Sequence, residues 1–340
     1  MLASTVLKAL RVHHHLRSTN TYIRSQNCGL GAFSFSPGVD VQNVQSQNLK
    51  FLTDKWIHRL KRESVPEAEL SVKFITEHFL GRERAGVYGV KENSQNLTRE
   101  EVKKINELCH QRLHRVPVQY IIGEWEFRHL TLAMKPPVFI PRPETEELID
   151  LVAEHHVQDE TGGDSFSFLE IGCGSGAICL SLLTEFSKTT CVAIDKNKAA
   201  VNLTRNNANR CNVSDRIELL HADLQSVLPL LGSRKFDAII SNPPYIPAKD
   251  MALLQPEISR YEDEHALCGG PDGLDVIRDI LRISPVLLKP GRRSSVWLEV
   301  DISHPKLIDE WISGNELGLN YSATFNDFTR RPRFCHITRK

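Results

Sequence analysis

The stretch of this sequence that is best suited to chemistry is Ser-Asn-Pro-Pro-Tyr at residues 241–245. It directly follows the mostly apolar run 236–240, which predicts a buried strand. Two consecutive prolines fix φ at about −65° and remove two N–H donors, so the carbonyls of this corner are not used by a helix or a sheet. With the side-chain oxygen of Asn242, they offer two acceptors for a planar –NH2 group, and the ring of Tyr245 suits its flat face. The alternative interpretation is a proline-rich turn that only closes a strand.

A glycine-rich turn is the second candidate region. It reads Gly172-Cys173-Gly174-Ser175-Gly176 and lies between a predicted strand and a predicted helix. Glycines let the backbone approach a ligand closely, and a turn after the first strand is where doubly wound folds bind nucleotides. The spacing also satisfies a relaxed dinucleotide fingerprint. The turn alone therefore does not separate NAD from S-adenosylmethionine.

Two acids at the ends of the next two predicted strands favour S-adenosylmethionine. Asp195 suits a ribose diol of either cofactor, whereas Asp223 can accept from an adenine amine while the neighbouring Leu224 packs on the ring. Because parallel strands end at one edge of their sheet, we expect the turn, both acids and Asn242 around one cavity. No His/Arg pair for hydride transfer accompanies them. Taken singly, each acid is equally well a turn residue or a helix cap.

The surrounding sequence alternates strand-like and helix-like segments, which predicts an α/β fold with a parallel sheet and helices on both faces. Two closely spaced runs at the C-terminus, 323–328 and 333–338, predict an antiparallel hairpin. The predicted strands are 166–171, 191–195, 217–221, 236–240 and 295–300, and the predicted helices lie near 145–157, 177–187, 197–211, 274–288 and 303–313.

The N-terminal part of the chain is predicted to form separate regions. Residues 49–115 have helical periodicity and no catalytic constellation, so they are interpreted as a recognition domain. Residues 116–140 contain β-type runs at 118–122, 125–127 and 130–134, which predict a β-hairpin linker. Residues 141–340 are expected to be the catalytic domain.

The N-terminal leader, residues 1–40, has arginines and serines and no acid before Asp40, which predicts a mitochondrial transit peptide. The alternative is a disordered N-terminus. The eight scattered cysteines lack a Cys-x-x-Cys pair and predict reduced core thiols, without metal.

Charge and hydropathy disfavour two classes of partner. The 340 residues have a formal net charge of zero, and outside the four basic residues of the leader 38 basic residues stand against 42 acidic ones. This balance gives no global attraction to nucleic acid, so no direct nucleic-acid partner is expected. No apolar run of about 18 residues is present, so no membrane insertion is expected.

From about residue 50 to its C-terminus, the sequence resembles the HemK/PrmC family of release-factor glutamine N5-methyltransferases. The motifs are 115–123 (Arg-Val-Pro-Val-Gln-Tyr-Ile-Ile-Gly), 140–146 (Ile-Pro-Arg-Pro-Glu-Thr-Glu), 172–176, 242–245, 261–267 and 269–275 (Gly-Gly-Pro-Asp-Gly-Leu-Asp). The family usually has Thr at the position of Cys173 and often Pro at that of Asp263. With its leader, the chain resembles a mitochondrial member.

The resemblance implies a Rossmann-like, class I S-adenosylmethionine-dependent methyltransferase domain with a seven-stranded, mostly parallel sheet. A small N-terminal helical domain would be joined to it by the β-hairpin. The cofactor would be S-adenosyl-L-methionine, and the substrate would be the Gln side chain of a Gly-Gly-Gln loop in a peptide-chain release factor. The expected location is the mitochondrial matrix.

The resemblance also assigns roles to residues. Asn242, Pro243 and Tyr245 would be catalytic, since the Asn242 side-chain oxygen and the Pro243 carbonyl would each accept one hydrogen of the substrate amide. Residues 142–146 would line the methionine end of the cofactor. The substrate-binding residues would be Asn242, Pro243, Pro244 and Tyr245, and the cofactor-binding residues would be Gly172, Cys173, Gly174, Ser175, Gly176, Asp195, Asp223, Leu224 and Asn242.

Two other functions use the same motifs. A DNA adenine-N6 methyltransferase also acts on a planar –NH2 group, but it needs base flipping and a basic channel. The acidic balance outside the leader disfavours it, although Arg330, Arg331 and Arg333 form a local basic cluster. A catalytically silent S-adenosylmethionine-binding assembly factor would have no need of the intact stretch 242–245.

Overall fold

The computed structural model of the chain describes residues 48–82, 85, 96–156, 165–291 and 293–340. The chain divides into two compact units, Met1–His114 and Arg115–Lys340. The predicted leader, residues 1–40, lies outside the described residues.

The first unit contains three described helices, α1 (Leu49–Arg62), α2 (Ala68–Leu80) and α3 (Arg99–Leu113). Helix α3 begins with a capping box: Glu101 N donates to Thr98 Oγ1, and Thr98 N donates to the Glu101 carboxylate. Apolar side chains at helical spacing form the core of this unit, because each helix turns one apolar stripe inward. The largest of them are Trp56, Leu60, Ile75 and Ile105.

The second unit begins with a short helix where a strand was predicted. Residues Val118–Ile122 form helix α4, so the prediction of a β-type run at 118–122 is wrong. Their β-branched side chains favour a strand only where a partner strand lies beside them. Here Pro117 precedes the segment, and Gly123 ends it by donating its N–H to Gln119 O at 2.9 Å. The local signals at the two ends of this helix therefore outweigh the strand-like composition of the segment.

The antiparallel hairpin predicted from the next two runs is present. Strands β1 (Glu124–Phe127) and β2 (Leu130–Ala133) pair from Glu124 opposite Ala133 to Phe127 opposite Leu130.

A seven-stranded sheet forms the body of the second unit, in the order β5-β4-β3-β6-β7-β9-β8. The first five strands of this order are parallel to one another, and β9 runs antiparallel to both of its neighbours, β7 and β8. The strands are β3 (Phe166–Ile171), β4 (Thr189–Asp195), β5 (Ile217–His221), β6 (Ala238–Ser241), β7 (Ser295–Glu299), β8 (Leu319–Asn326) and β9 (Pro332–Arg339). The predicted mostly parallel sheet and terminal hairpin are confirmed.

Helices cover both faces of this sheet, as its apolar strands require. Alternate residues of β3 point to opposite sides, so that Phe168 packs in one core cluster and Leu169 in the other. The helices are α5 (Thr145–His156), α6 (Ala177–Glu185), α7 (Lys198–Arg210), α8 (Val227–Leu231), α9 (Pro256–Ser259), α10 (Asp275–Leu287) and α11 (His304–Ser313).

The strand order reverses between β3 and β6. From β3 the sheet grows towards β4 and β5 on one side and towards β6 and β7 on the other. At such a reversal the connecting segments diverge and leave a crevice at the carboxyl edge of the strands. The glycine turn after β3 (residues 172–176) and the proline corner after β6 (residues 242–245) are therefore neighbours across this crevice.

Candidate active site

A cavity of about 520 Å³ lies at this crevice and brings most of the predicted site residues together. The predicted residues that line it are Gly172, Gly174, Asp195, Asp223, Leu224, Asn242, Pro243, Pro244 and Tyr245. The cavity also has apolar walls, formed in part by Phe139 and Val276. A mixture of apolar walls and a few directed polar groups is typical of a site for a small organic cofactor.

The glycine turn is held against the end of β4. Gly172 N and Cys173 N both donate to Ile194 O, at 2.9 and 3.1 Å. Gly174 has φ +55°, and its N–H donates to Asp195 Oδ2 at 3.0 Å. A Cβ at Gly174 would meet no atom within 4 Å, so its φ, not crowding, favours glycine. The turn thus presents bare backbone to the cavity.

The two acids have structural partners and also line the cavity. Asp195 Oδ1 accepts from Asn197 N at 2.8 Å, and Asp223 accepts from Gln225 N at 3.0 Å as the cap of a short 3₁₀ helix. Burial raises the pKa of Asp195, while the two backbone N–H donors oppose this shift. Each carboxylate oxygen keeps a further lone pair that can accept from a hydroxyl or an amine. These residues therefore fit the ribose and adenine of S-adenosylmethionine.

Three of the predicted cofactor residues do not line the cavity. Cys173 is buried in the core, where Thr204 Oγ1 lies 3.4 Å from its sulfur. The carbonyl of Ser175 accepts from Asn207 Nδ2 at 2.9 Å, and a Cβ at Gly176 would lie 2.7 Å from Leu180 Cδ1. These three residues support the turn from behind, and their direct contact with the cofactor stays a prediction.

The proline corner is fixed to the glycine turn's strand. Ser241, at the end of β6, donates its hydroxyl to Ile171 O at 2.7 Å, so the ends of β6 and β3 are tied together. Asn242 is half-buried, and its Nδ2 donates to Thr145 Oγ1 at 3.3 Å. Within the described residues, no donor reaches Asn242 Oδ1 or the carbonyl oxygen of Pro243. Both oxygens are acceptors available to a substrate.

A glycine-containing loop supports the corner from behind. Ile246 N donates to Leu267 O, and Gly269 N donates to Ile246 O, both at 2.9 Å. A Cβ at Gly273 would lie 2.3 Å from the carbonyl oxygen of Tyr245, and φ is +82° there. Only glycine allows this approach, which explains the requirement for a Gly-Gly-Pro-Asp-Gly loop near the corner.

The predicted methionine-end segment is only partly at the cavity. Arg142 lines it, and its Nη2 lies 2.9 Å from both carboxylate oxygens of the buried Glu262. The guanidinium also lies 4.5 Å from the centroid of the Phe139 ring. Thr145, by contrast, lies behind Asn242 and is buried.

Sequence reasoning missed two features of this site. Glu299 accepts from Thr145 Oγ1 at 2.8 Å, and burial raises its pKa to about 7. The available signal was an acid within the otherwise apolar run 295–300. The second feature is the pair formed by Asn197 Nδ2 and Asp263 Oδ2, which are 2.6 Å apart, and both residues line the cavity.

The local basic cluster near the C-terminus is largely neutralised. Arg331 and Arg333 lie 3.7 and 3.5 Å from the same oxygen of Asp327, and Arg333 also donates to Val300 O at 2.9 Å. The side chain of Arg333 is only 11% exposed. Two of the three arginines therefore do not form an open surface for a phosphate backbone.

The seven described cysteines are free thiols, and five of them are buried. Among the described residues, one cluster has metal-ligand types close together, namely Glu170, Cys179 and Cys191. Burial raises the pKa of both thiols and raises that of Glu170 to about 8. Metal ligation needs thiolate and carboxylate, so these neutral groups are better understood as core packing under the glycine turn.

The seven-stranded sheet, the glycine turn, the two acids and the proline corner define an S-adenosylmethionine-dependent methyltransferase. Residues 150–257 match the methyltransferase small domain, and residues 52–123 match the PrmC N-terminal domain. No helix in the described ranges has the length and apolar character needed to cross a membrane.

Curated relatives narrow this class to one family. The chain is 44% identical over 294 residues to the MTRF1L release factor glutamine methyltransferase of Homo sapiens, which covers 85% of this chain and 86% of that protein. It is 34% identical to the release factor glutamine methyltransferase of Geobacter sulfurreducens, over 81% of this chain and 86% of that protein. The corresponding protein of Mycolicibacterium smegmatis is 31% identical, over 82% and 94%. The chain belongs to the release factor glutamine methyltransferase family.

Proposed function

We propose that this chain transfers a methyl group from S-adenosyl-L-methionine to the side-chain nitrogen of the Gln in a Gly-Gly-Gln loop of a peptide-chain release factor. The observation that carries this proposal is the pair of oxygens, Asn242 Oδ1 and Pro243 O, beside the cavity that the glycine turn borders. Family membership supports the substrate, because the relatives are named release factor glutamine methyltransferases.

The two oxygens answer the main chemical difficulty of this substrate. An amide nitrogen is a poor nucleophile because its lone pair is delocalised into the carbonyl. If Asn242 Oδ1 and Pro243 O each accept one amide hydrogen, the –NH2 group is held with its lone pair turned towards the donor side of the cavity. Positioning of this kind supplies on the order of 7–11 kcal/mol in favourable cases. Tyr245, which lines the same cavity, packs against the amide plane.

No general base is needed before the transfer, because the attacking nitrogen is neutral and loses its proton afterwards. This agrees with the lining of the cavity near the corner, where an amide, prolines and a tyrosine lie. Burial raises the pKa of Tyr245, so its hydroxyl stays protonated at neutral pH.

The cofactor's place follows from the fit described above. Asp195 would hold the ribose, Asp223 and Leu224 the adenine, and Arg142 the carboxylate of the methionine part. S-adenosyl-L-methionine, when bound, supplies a methyl group activated by its sulfonium charge. The half-buried Arg142 and the apolar walls also exclude bulk water from this end of the cavity.

The partner and the location are part of the same proposal. The helical first unit would bind the body of the release factor, and residues 1–40 would direct the chain to the mitochondrial matrix. Nucleic acid is not the substrate in this proposal. The leader's four basic residues and lack of acids before Asp40 support import.

The test uses the purified chain, S-adenosyl-L-methionine and a purified mitochondrial release factor. Mass spectrometry is expected to show one added methyl group on the Gln of the Gly-Gly-Gln loop and none on a release factor with that Gln changed to Glu. A single-stranded oligonucleotide with adenines serves as the competing substrate. Methylation of the oligonucleotide, with none on the release factor, would reverse the assignment in favour of an adenine-N6 methyltransferase.

A further inference from the structure

A chain of two hydrogen bonds connects the catalytic amide to a buried carboxylate. Asn242 Nδ2 donates to Thr145 Oγ1 at 3.3 Å, and Thr145 Oγ1 donates to Glu299 Oε2 at 2.8 Å. The three residues come from three elements: the loop after β6, the start of α5 and the end of β7. Thr145 is 3% exposed and Glu299 is 1% exposed, so water does not compete for these groups.

When Glu299 is ionised, the donors and acceptors of Asn242, Thr145 and Glu299 permit one arrangement. An ionised carboxylate only accepts, and a threonine hydroxyl has a single hydrogen. Once Thr145 gives this hydrogen to Glu299, its oxygen offers only lone pairs to its other neighbour. Asn242 must therefore turn its –NH2 group towards Thr145 and its Oδ1 away. A flipped amide would place two oxygens against each other without a hydrogen between them.

We infer that Thr145 and Glu299 are positioning residues that lock the Asn242 side chain with its oxygen facing the substrate. This inference rests on the proposed function, because it explains how the corner presents an acceptor and not a donor to the substrate amide. A flipped Asn242 would present –NH2 to –NH2 and would repel the group it has to orient. Neither Thr145 nor Glu299 needs to touch the substrate for this effect.

Arginine side chains near Glu299 support the ionised state on which the lock depends. Burial raises the pKa of Glu299 to about 7 and Glu144 adds to this rise, whereas the hydrogen bond from Thr145 and the charges of Arg333 and Arg142 oppose it. Arg333 is itself largely buried and is anchored on Val300 O. The carboxylate is thus surrounded by charges that partly compensate for its removal from water.

The first experiment compares three variants in the methylation assay. Thr145→Ser keeps the hydroxyl, and it is expected to retain nearly wild-type kcat. Thr145→Val is isosteric but has no hydroxyl, and it is expected to lower kcat by about tenfold to a hundredfold, while the KM for the release factor changes little. The matched control is Thr184→Val in α6, which removes a hydroxyl that donates to a helix carbonyl, Leu180 O; neither Thr184 nor Leu180 lines the cavity. This control is expected to keep wild-type activity.

The second experiment tests whether Glu299 acts through Thr145. In the Glu299→Gln variant, the new amide –NH2 can donate to Thr145 Oγ1. The hydroxyl hydrogen of Thr145 is then directed to Asn242 and stabilises the flipped amide. We expect Glu299→Gln to lower kcat when residue 145 is the native Thr, but to lower it little further when it is added to Thr145→Val. A double-mutant cycle measures this dependence. Additive losses would show that the two residues act separately and would overturn the inference.

A third measurement needs no substrate and keeps the lock separable from the proposed function. With asparagine labelled selectively with ¹⁵N, the Asn242 carboxamide signal is identified by its loss in Asn242→Ala. We expect its hydrogen exchange to be slow in the wild type and in Thr145→Ser, and at least about tenfold faster in Thr145→Val, since one hydrogen bond is lost. Equal exchange in all three proteins would refute the lock. If the wild-type protein shows slow exchange but does not methylate the release factor, the proposed substrate is refuted and the lock is retained.

Discussion

Replacing Asn242 by Ala removes one of the two acceptors for the substrate amide and leaves Pro243 O in place. Loss of one preorganised polar contact to the reacting group lowers kcat by about 10²–10³-fold in comparable sites, or roughly 2.7–4 kcal/mol of activation free energy. Asn242 is half-buried, and its side-chain hydrogen bond to Thr145 is long, 3.3 Å. The expected loss of unfolding free energy is therefore less than about 1 kcal/mol. Activity should fall while the fold persists.

The assay for this prediction measures kcat and KM on a purified release factor, with urea unfolding and calorimetric titration of S-adenosyl-L-homocysteine on the same samples. Donor affinity is expected to change by less than about threefold, because the glycine turn and Asp195 remain. The matched control is Asn315→Ala, an exposed asparagine that donates to Trp311 O at the end of α11. A variant Asn242→Ala that methylates within about threefold of the wild-type rate would refute the orienting role.

Three further predictions concern stability. Gly273→Ala is expected to lower the unfolding free energy, measured by urea unfolding, by about 2 kcal/mol or more, because the new Cβ would meet Tyr245 O at 2.3 Å. The control Gly318→Ala has φ +69° and no atom within 4 Å of its Cβ, so it measures the backbone strain without the clash. Burial lowers the pKa of His156 to about 3, from 6.5 in the unfolded chain, so below pH 7 the unfolded state binds a proton that the folded state does not. The unfolding free energy is therefore expected to fall by about 2 kcal/mol between pH 7 and pH 5, and the same fall in His156→Phe would contradict this. Burial raises the pKa of Glu170 from 4.5 to about 8, so the contribution of Glu170 to the unfolding free energy weakens as pH rises, by about 3 kcal/mol at pH 7. The variant Glu170→Gln should therefore show a flatter pH profile of unfolding free energy.

Local sequence was a good guide to most elements and failed at one short segment. The α/β part was predictable because buried parallel strands are continuous apolar runs and their helices have clear ends. Residues 118–122 were misassigned because four of the five are β-branched or aromatic, which satisfies the composition of a strand equally well. Only the position of Pro117 and Gly123, together with the absence of a partner strand for this segment in the described chain, makes it a helix.

The candidate site divides in the same way. Gly174, Asp195 and Asn242 were predictable because each lies at the carboxyl end of a strand or shortly after it, and parallel strands place these ends at one edge. The Thr145 and Glu299 partners were not predictable, because Thr145 lies 97 residues from Asn242 in the sequence and Glu299 lies 154 residues from Thr145. Side-chain hydrogen bonds over such separations depend on how α5 packs on the sheet, which local sequence does not specify.

The amino-acid sequence by itself determined the order of strands and helices, the residue types at the strand ends and, through its motifs, the kind of group that the site can bind. These properties are local, since apolar periodicity, proline geometry and glycine freedom act within a few residues. The tertiary structure alone decided that the –NH2 group of Asn242 faces Thr145 and that Thr145 in turn faces the buried Glu299. That choice depends on one hydroxyl hydrogen between two distant elements, and packing brings those elements within hydrogen-bonding distance.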